Sequence, residues 1–374
     1  MIKVAVVGIG KMGLSHLSMI RAHPQVDVVG VCDSIGYVLD VLGKYTGLAT
    51  FTDYTKMLDS VDADAVLIAT PTSSHVTLVR AALERGLHVF CEKPLTLSSI
   101  ESTELAELAD ARALVTQVGY HNRFVGAFLE VKRLLDEDAV GVVSHCLAES
   151  YGPVVVKSKG GTWRSRREAG GGCLYDYAAH PLDLLTWYFG EPLSAGGTVI
   201  SSIFSTETDD EVYSTLSYMD GVSAQLSVNW SDDSQRKMTT QLTFWGSKGK
   251  IIADRQGCRV YVRDTASVPG GYTTGWNVRH TTELTQPVWF YLRGEEYSAQ
   301  LDYFVTSIEG SNSTQPEARQ NDFRSASSTD RAIEMITRSY KAGANAQYDL
   351  ADTVRAPPRR RRFFSRRPSV RSID

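Results

Sequence analysis

Val4-Ala5-Val6-Val7-Gly8-Ile9-Gly10-Lys11-Met12-Gly13-Leu14-Ser15-His16 is the stretch on which the fold turns. An unbroken β-branched run with no polar alternation predicts a strand buried on both faces. The glycines at G-x-G-x-x-G spacing then lead directly into a helical pattern, which is the context a dinucleotide-binding turn requires. Gly8 permits the tight turn, Gly10 lets backbone approach a diphosphate, and Gly13 lets helix and strand pack closely. Ile9, Lys11 and Met12 complete the turn, whose free N–H groups face the phosphates. Twenty residues beyond Gly13 stands Asp33, at the end of the next apolar run and placed to accept from ribose hydroxyls. A carboxylate there repels a 2′-phosphate and Ser34, not an arginine, follows, so NAD is expected rather than NADP.

Outward from this turn, apolar runs alternate with helical stretches to about residue 120. Val26 to Cys32, Ala65 to Ala69, His88 to Cys91 and Leu114 to Val118 are the further strands. Between them lie helices at Ser15 to Ala22, Tyr37 to Tyr45, Thr55 to Leu58, Val76 to Arg85 and Ser98 to Asp110. This βαβ alternation predicts an α/β Rossmann domain, a doubly wound parallel sheet, over residues 1–122. After a helix ending near Leu135 come seven strand-like runs between Val142 and Val262, separated by Gly, Asp and Ser clusters. Met219-Asp220-Gly221-Val222 reads as a hairpin turn. An α+β domain with a large, mostly antiparallel open sheet is expected over 123–350, with helices at Leu174 to Phe189, Glu295 to Ile308 and Asp322 to Tyr340. Residues 351–374 form a basic tail, with eight arginines and one acid from Arg355 onward, that cannot build a core and is expected to be disordered.

The net charge of −4 therefore conceals a more acidic body, which argues against a general nucleic-acid surface. The five cysteines are scattered, with no pair or Cys/His cluster at metal-ligand spacing, so neither disulfides nor a metal site is expected. The chain opens on a strand rather than a charged leader and has no apolar run long enough to span a membrane, which predicts a cytoplasmic protein.

Two further segments carry polar groups that a plain nucleotide-binding domain does not need. Phe90-Cys91-Glu92-Lys93-Pro94 ends a buried strand at the carboxyl edge of the sheet, where ligands bind in open α/β folds. Gly170-Gly171-Gly172-Cys173-Leu174-Tyr175-Asp176-Tyr177-Ala178-Ala179-His180 places Asp176 and His180 four apart on one helix face. With the glycine turn, Ala69-Thr70-Pro71, His75 and the Arg123-Phe124 pair, these segments make the chain resemble the glucose-fructose oxidoreductase, inositol dehydrogenase and rhizopine-catabolism (Gfo/Idh/MocA) family from residue 1 to about 345. Ala178 departs from it, standing where the family usually has glycine.

The resemblance implies an NAD(P)-dependent dehydrogenase acting on a ring hydroxyl or keto group of a sugar, polyol or nucleotide-linked sugar. Lys93, Asp176 and His180 are then the catalytic residues. His180 is the base, because an imidazole titrates near operating pH. Asp176 orients that imidazole, and Lys93 favours alkoxide character on the reacting oxygen. Thr70, Pro71, His75, Glu92 and Lys93 join the glycine turn and Asp33 around the cofactor, and the family's Glu-Lys-Pro proline is typically cis. Arg123, Trp163 and Arg164 are placed beside the three catalytic residues on the substrate side, with His121 and Asn122 as weaker candidates. The basic loop Lys157 to Arg167 suggests a diphosphate-bearing substrate. His16, His23, His88 and His145 read as ordinary core or surface residues, and Tyr175 and Tyr177 as packing. The second sheet suggests face-to-face association into a homodimer or homotetramer. A non-catalytic NAD-binding regulator and an NAD-dependent glycosidase are the alternative readings.

Overall fold

The computed structural model describes residues 1–156, 162–264, 268–310 and 320–345. The N-terminal runs form β1 (Ile2–Val7), β2 (Val26–Cys32), β3 (Thr50–Phe51), β4 (Ala65–Ile68), β5 (His88–Cys91) and β6 (Thr116–Val118). They pair in parallel in the order β3-β2-β1-β4-β5-β6, the doubly wound order in which the carboxyl ends of β1 and β4 diverge to leave a crevice. Five helices cross over between them: α1 (Lys11–Arg21), α2 (Gly36–Thr46), α3 (Tyr54–Ser60), α4 (His75–Glu84) and α5 (Ser99–Ala111). The two-residue β3 carries too little pattern to be read from sequence.

The rest of the chain adds α6 (Gly126–Asp136), β7 (Val143–Tyr151), α7 (Ala179–Phe189), β8 (Ser194–Ser201), β9 (Glu211–Ser217) and β10 (Ser223–Asn229). It continues through β11 (Gln241–Gly246), β12 (Gly249–Asp254), β13 (Gly257–Val262), β14 (Gly275–His280), α8 (Thr281–Leu284), α9 (Glu295–Ile308) and α10 (Phe323–Asn345). The eight strands line up as β14-β13-β12-β11-β7-β10-β9-β8, antiparallel except where β10 runs parallel to β7. Asp220, at φ 59°, makes the turn from β9 to β10. β14 is an addition to the sequence reading, because its Trp276 and Val278 alternate with Asn277 and Arg279 on an edge strand that stays half exposed.

Helices α6, α7 and α10 pack on one face of this sheet. Its other face carries a cross-strand row in register, His145, Trp245, Lys250, Tyr261 and Trp276. α9 lies late in the chain yet joins the first sheet, with Leu301, Phe304 and Val305 buried against Val4, Val6, Leu67 and Phe90. The C-terminal part thus completes one face of the N-terminal sheet, which ties the two sheets into one structure.

The glycine turn separates two duties. A Cβ on Gly13 would lie 1.7 Å from the Gly8 carbonyl oxygen, whereas one on Gly10 would meet nothing within 4 Å. Gly13→Ala should therefore cost on the order of 3 kcal/mol or prevent folding. Gly10→Ala should stay within about 0.5 kcal/mol of the parent in calorimetry. Equal melting temperatures for the two variants would contradict this reading of the turn.

Candidate active site

β5 delivers Glu92 and Lys93 to the carboxyl edge of the first sheet, and the Lys93–Pro94 bond is cis. The loop is held from three sides. His75 is fully buried, with Nδ1 at 3.0 Å from the Pro94 carbonyl and Nε2 at 3.0 Å from that of Thr70. It joins two cofactor-edge segments through their backbones, and burial lowers its pKa. Glu92 accepts from the Lys93 N–H at 3.1 Å and pairs with His16 at 2.7 Å. Burial opposes charge on Glu92, but His16 and Lys93 outweigh it and hold the carboxyl below its usual range. On the third side the Thr96 N–H donates at 3.2 Å to Asp330 of α10. His16 was read as an ordinary histidine; it fixes α1 to the Lys93 loop, and no ligand spacing in the sequence could signal a partner 76 residues away.

Leu174–Ala178 form a π-helical turn leading into α7, in place of the regular helix expected there. Such turns widen the helix and recur at functional sites. The widening removes the stacked i, i+4 relation, and no hydrogen bond joins Asp176 to His180 among the described residues. Asp176 therefore does not orient the imidazole directly as expected. Its Oδ1 and its backbone carbonyl accept from Lys93 Nζ at 2.9 and 2.7 Å, and its Oδ2 accepts from Arg164 Nε at 2.7 Å. Burial opposes ionisation here too, yet the two cations keep the carboxyl below its normal pKa. Lys93 is thereby aimed from the first sheet across to the second domain.

His180 is 4% exposed with Nδ1 buried and, among the described residues, unpartnered. Burial, then the charges of Lys93 and Arg255, hold its pKa well below the ordinary imidazole value, so it stands neutral and able to take a proton. Its ring lies 5.0 Å from that of His121, which stacks at 4.4 Å on Tyr297 of α9. Both amide atoms of buried Asn122 also lack a partner among the described residues, as befits a group that meets a ligand.

Arg123 is a correction. It was expected on the substrate side but is 2% exposed and forks onto Asp183 of α7 at 2.6 and 2.9 Å, with Ser325 at 2.8 Å. This buried pair braces α7, which carries His180. Trp163 lies under the Arg164 guanidinium at 4.9 Å, so the two act as one unit over Asp176. Arg255, Tyr151, Thr240 and Arg293 line a neighbouring cavity of about 790 Å³, and none of them stands in a motif that marks it in the sequence. Lys157 and Lys159 of the basic loop, and the tail, lie outside the described residues.

The glycine turn fits a dinucleotide. α1 starts at Gly10 without a side-chain cap, so its first N–H groups are available, and the space in front of Gly10 is open. Asp33 accepts from the Ile9 and Ile35 N–H groups at 2.5 and 2.8 Å, which fixes its carboxylate at the ribose position with lone pairs to spare. Among the described residues no cluster of three or more His, Cys, Asp or Glu side chains could hold a metal, and no helix is long and apolar enough to cross a membrane.

This combination of glycine turn, Lys93 loop and Asp176–His180 segment is matched by known sequences. Residues 2–120 match the oxidoreductase family with NAD-binding Rossmann fold, and residues 128–252 match the GFO/IDH/MocA C-terminal domain. The chain belongs to the Gfo/Idh/MocA family. It is 30% identical over 195 residues to the rhizopine catabolism protein MocA of Rhizobium meliloti, covering 50% of this chain and 57% of that protein. It is 34% identical over 200 residues to inositol 2-dehydrogenase 4 of Saccharopolyspora erythraea, covering 52% and 56%. The matched stretch thus spans little more than half the length of these relatives.

Solved family structures match further. Levoglucosan dehydrogenase in complex with NADH and L-sorbose superposes with a TM-score of 0.79 at 20% identity, over 91% of this chain and 97% of that one. The WlbA dehydrogenase of Bordetella pertussis, in complex with NADH and UDP-GlcNAcA, gives 0.75 at 20%, over 91% and 96%. At such identity these likenesses establish the fold.

Asp330 supplies a test of how the family's Lys93 loop is anchored. Burial pushes its pKa up to about 8, against hydrogen bonds from Thr96 and Ser102 that favour the anion. Because the folded-state pKa exceeds the unfolded one, the folded protein holds the extra proton, and stability falls as pH rises from about 4 to about 8. Asp330→Asn keeps an acceptor for the Thr96 N–H and removes that loss. Its melting temperature should match the parent near pH 5 and exceed it at pH 8, by on the order of 2 kcal/mol of stability. A difference that does not grow with pH would refute the buried, proton-holding carboxyl.

Proposed function

We propose that this chain is an NAD-dependent dehydrogenase that passes a hydride between NAD and a ring hydroxyl or keto group of a sugar, polyol or nucleotide-linked sugar. The observation that carries the reading is a cation, Lys93, fixed by Asp176 at the cofactor edge within the electrostatic reach of a buried neutral imidazole, His180. When bound, NAD supplies the acceptor for the hydride that leaves the substrate carbon. Lys93 donates to the reacting oxygen and stabilises its developing negative charge, while His180 takes the hydroxyl proton. Asp176, itself bonded by Arg164, holds Lys93 in place, making Asp176 a positioning group for the cation as well as a candidate contact for a neighbouring hydroxyl. In reduction the same groups run in reverse, His180 returning the proton and Lys93 polarising the ketone. Asp33 favours NAD over NADP because its carboxylate repels a 2′-phosphate and Ser34, not an arginine, follows it.

The relatives bracket the substrate class, through an inositol dehydrogenase on one side and a neighbour crystallised with a sugar nucleotide on the other. Arg166 and Arg167 of the basic loop support a nucleotide-linked substrate, while Arg164 is already engaged by Asp176. All five cysteines are buried and free, which fits a reducing, cytoplasmic setting.

A panel of sugars, polyols and sugar nucleotides incubated with protein and NAD should yield NADH with at least one member. Lys93→Ala should then lower kcat roughly 100-fold or more while NAD binding stays near the parent value. Full activity in Lys93→Ala, or aglycone release without net NADH, would sink this mechanism.

The open face of the second sheet favours a homo-oligomer. Tyr261 and Trp276 are 36% and 56% exposed and pack together at 5.4 Å, beside Val278 at 51%. An apolar row of this kind on a sheet face marks an association surface. Sedimentation should give a dimer or tetramer for the parent and a monomer for the Tyr261→Arg, Trp276→Arg double variant. An unchanged mass would place the interface elsewhere.

A further inference from the structure

One arginine of the interdomain segment has no role in the mechanism above. Arg293 immediately precedes Gly294, whose φ of 151° turns the chain into α9. A Cβ on Gly294 would crowd the Glu296 carboxylate, so glycine fixes the approach of this segment. α9 packs against α1, and the approach leaves the Arg293 guanidinium 5.3 Å from the Tyr297 ring centre, with Nη1 3.5 Å from Ser15 Oγ. Ser15 lies on α1 five residues beyond the uncapped Gly10. Nε of Arg293 is buried with no acceptor, and no carboxylate pairs with this guanidinium among the described residues.

A guanidinium has five donors, no acceptor, and keeps its charge at any physiological pH. Here it is left needing an anion, beside a helix start that needs one as well. Ser15 Oγ donates to the Lys11 carbonyl at 2.9 Å, so Arg293 reaches the first turn of the helix whose N-terminus the glycine turn directs at the dinucleotide's phosphates.

We propose that Arg293 is a cofactor-positioning residue that closes over the diphosphate of the dinucleotide from the C-terminal side of the cleft. The proposal rests on the NAD reading of the glycine turn. Arg293 and the N–H groups of α1 then hold the diphosphate from opposite sides, one from each part of the chain. The first turn of α9 carries Tyr297, stacked on His121, which in turn touches His180. The segment proposed to meet the diphosphate thus also backs the imidazole of His180.

The test is calorimetric titration of the full chain with NAD and with ADP-ribose, and competition by adenosine, which lacks phosphate. Arg293→Ala should weaken NAD and ADP-ribose about tenfold or more and leave adenosine unchanged. Arg293→Lys should recover part of the loss, since it restores charge without the fork. The salt dependence of NAD binding should also be shallower in Arg293→Ala. Should Arg293→Ala lower the melting temperature, Arg293→Gln preserves bulk without charge and carries the same expectations. If the parent binds NAD and both neutral variants bind it equally well, Arg293 does not touch the diphosphate although the cofactor reading survives. Equal weakening of adenosine and ADP-ribose would assign Arg293 a purely structural role. A parent that binds no NAD overturns the cofactor reading itself, and this inference with it.

Discussion

The contact between Lys93 and Asp176, at 2.7 and 2.9 Å, joins the carboxyl edge of the parallel sheet to the π-helical turn of the second domain. Two buried charges in one cleft cost desolvation unless each is well partnered. Asp176 meets that condition by taking a second cation, Arg164, and Lys93 meets it by reaching both a carboxylate oxygen and a carbonyl. Lys93 and Arg164 share the Asp176 carboxylate, and the Glu92 carboxylate on the other side of Lys93 offsets the remaining positive charge. Asp176 takes two of the three Lys93 donors, and under the proposed chemistry the third is left for the oxygen of a substrate hydroxyl.

The bracing around this contact is doubled in both directions. Asp330 and His16–Glu92 hold the Lys93 loop to α10 and α1. Arg123–Asp183 holds α7 to the segment after β6, and Asn321 donates to the Tyr120 carbonyl at 2.8 Å and accepts through its own carbonyl from the Val118 N–H at 2.7 Å. Every tie runs between residues far apart in sequence, and most are buried. Breaking one partner of such a pair leaves an uncompensated group, so the geometry of the cleft is protected by the cost of disturbing it.

This also sets what the sequence could disclose. β1, Gly8, Gly10, Gly13 and Asp33 were legible because their constraints are local, a turn, a close approach and a strand end. Lys93 and His180 were legible as residues through their motifs. Their relation was not, since a four-residue spacing implies a shared α-helical face and the π turn withdraws it. Arg123 looked like a free polar group because its partner, Asp183, lies 60 residues on. β14 was passed over because its apolar residues face outward, the reverse of what burial patterns teach.

The electrostatics of the histidines bear on how a base works here. His180 and His121 lie against one another, and Arg255 lowers both, after burial in each case. A neutral base of low pKa is a weak acceptor for a free alcohol. Lys93 resolves the mismatch because the charge that depresses His180 also lowers the pKa of a hydroxyl bound to it, and proton transfer depends on the difference between the two. A single cation thus sets both sides of the transfer, and its position is set in turn by a carboxylate from the other domain. Under the proposed chemistry, the contact between the two parts of the chain and the tuning of the acid–base pair are one arrangement.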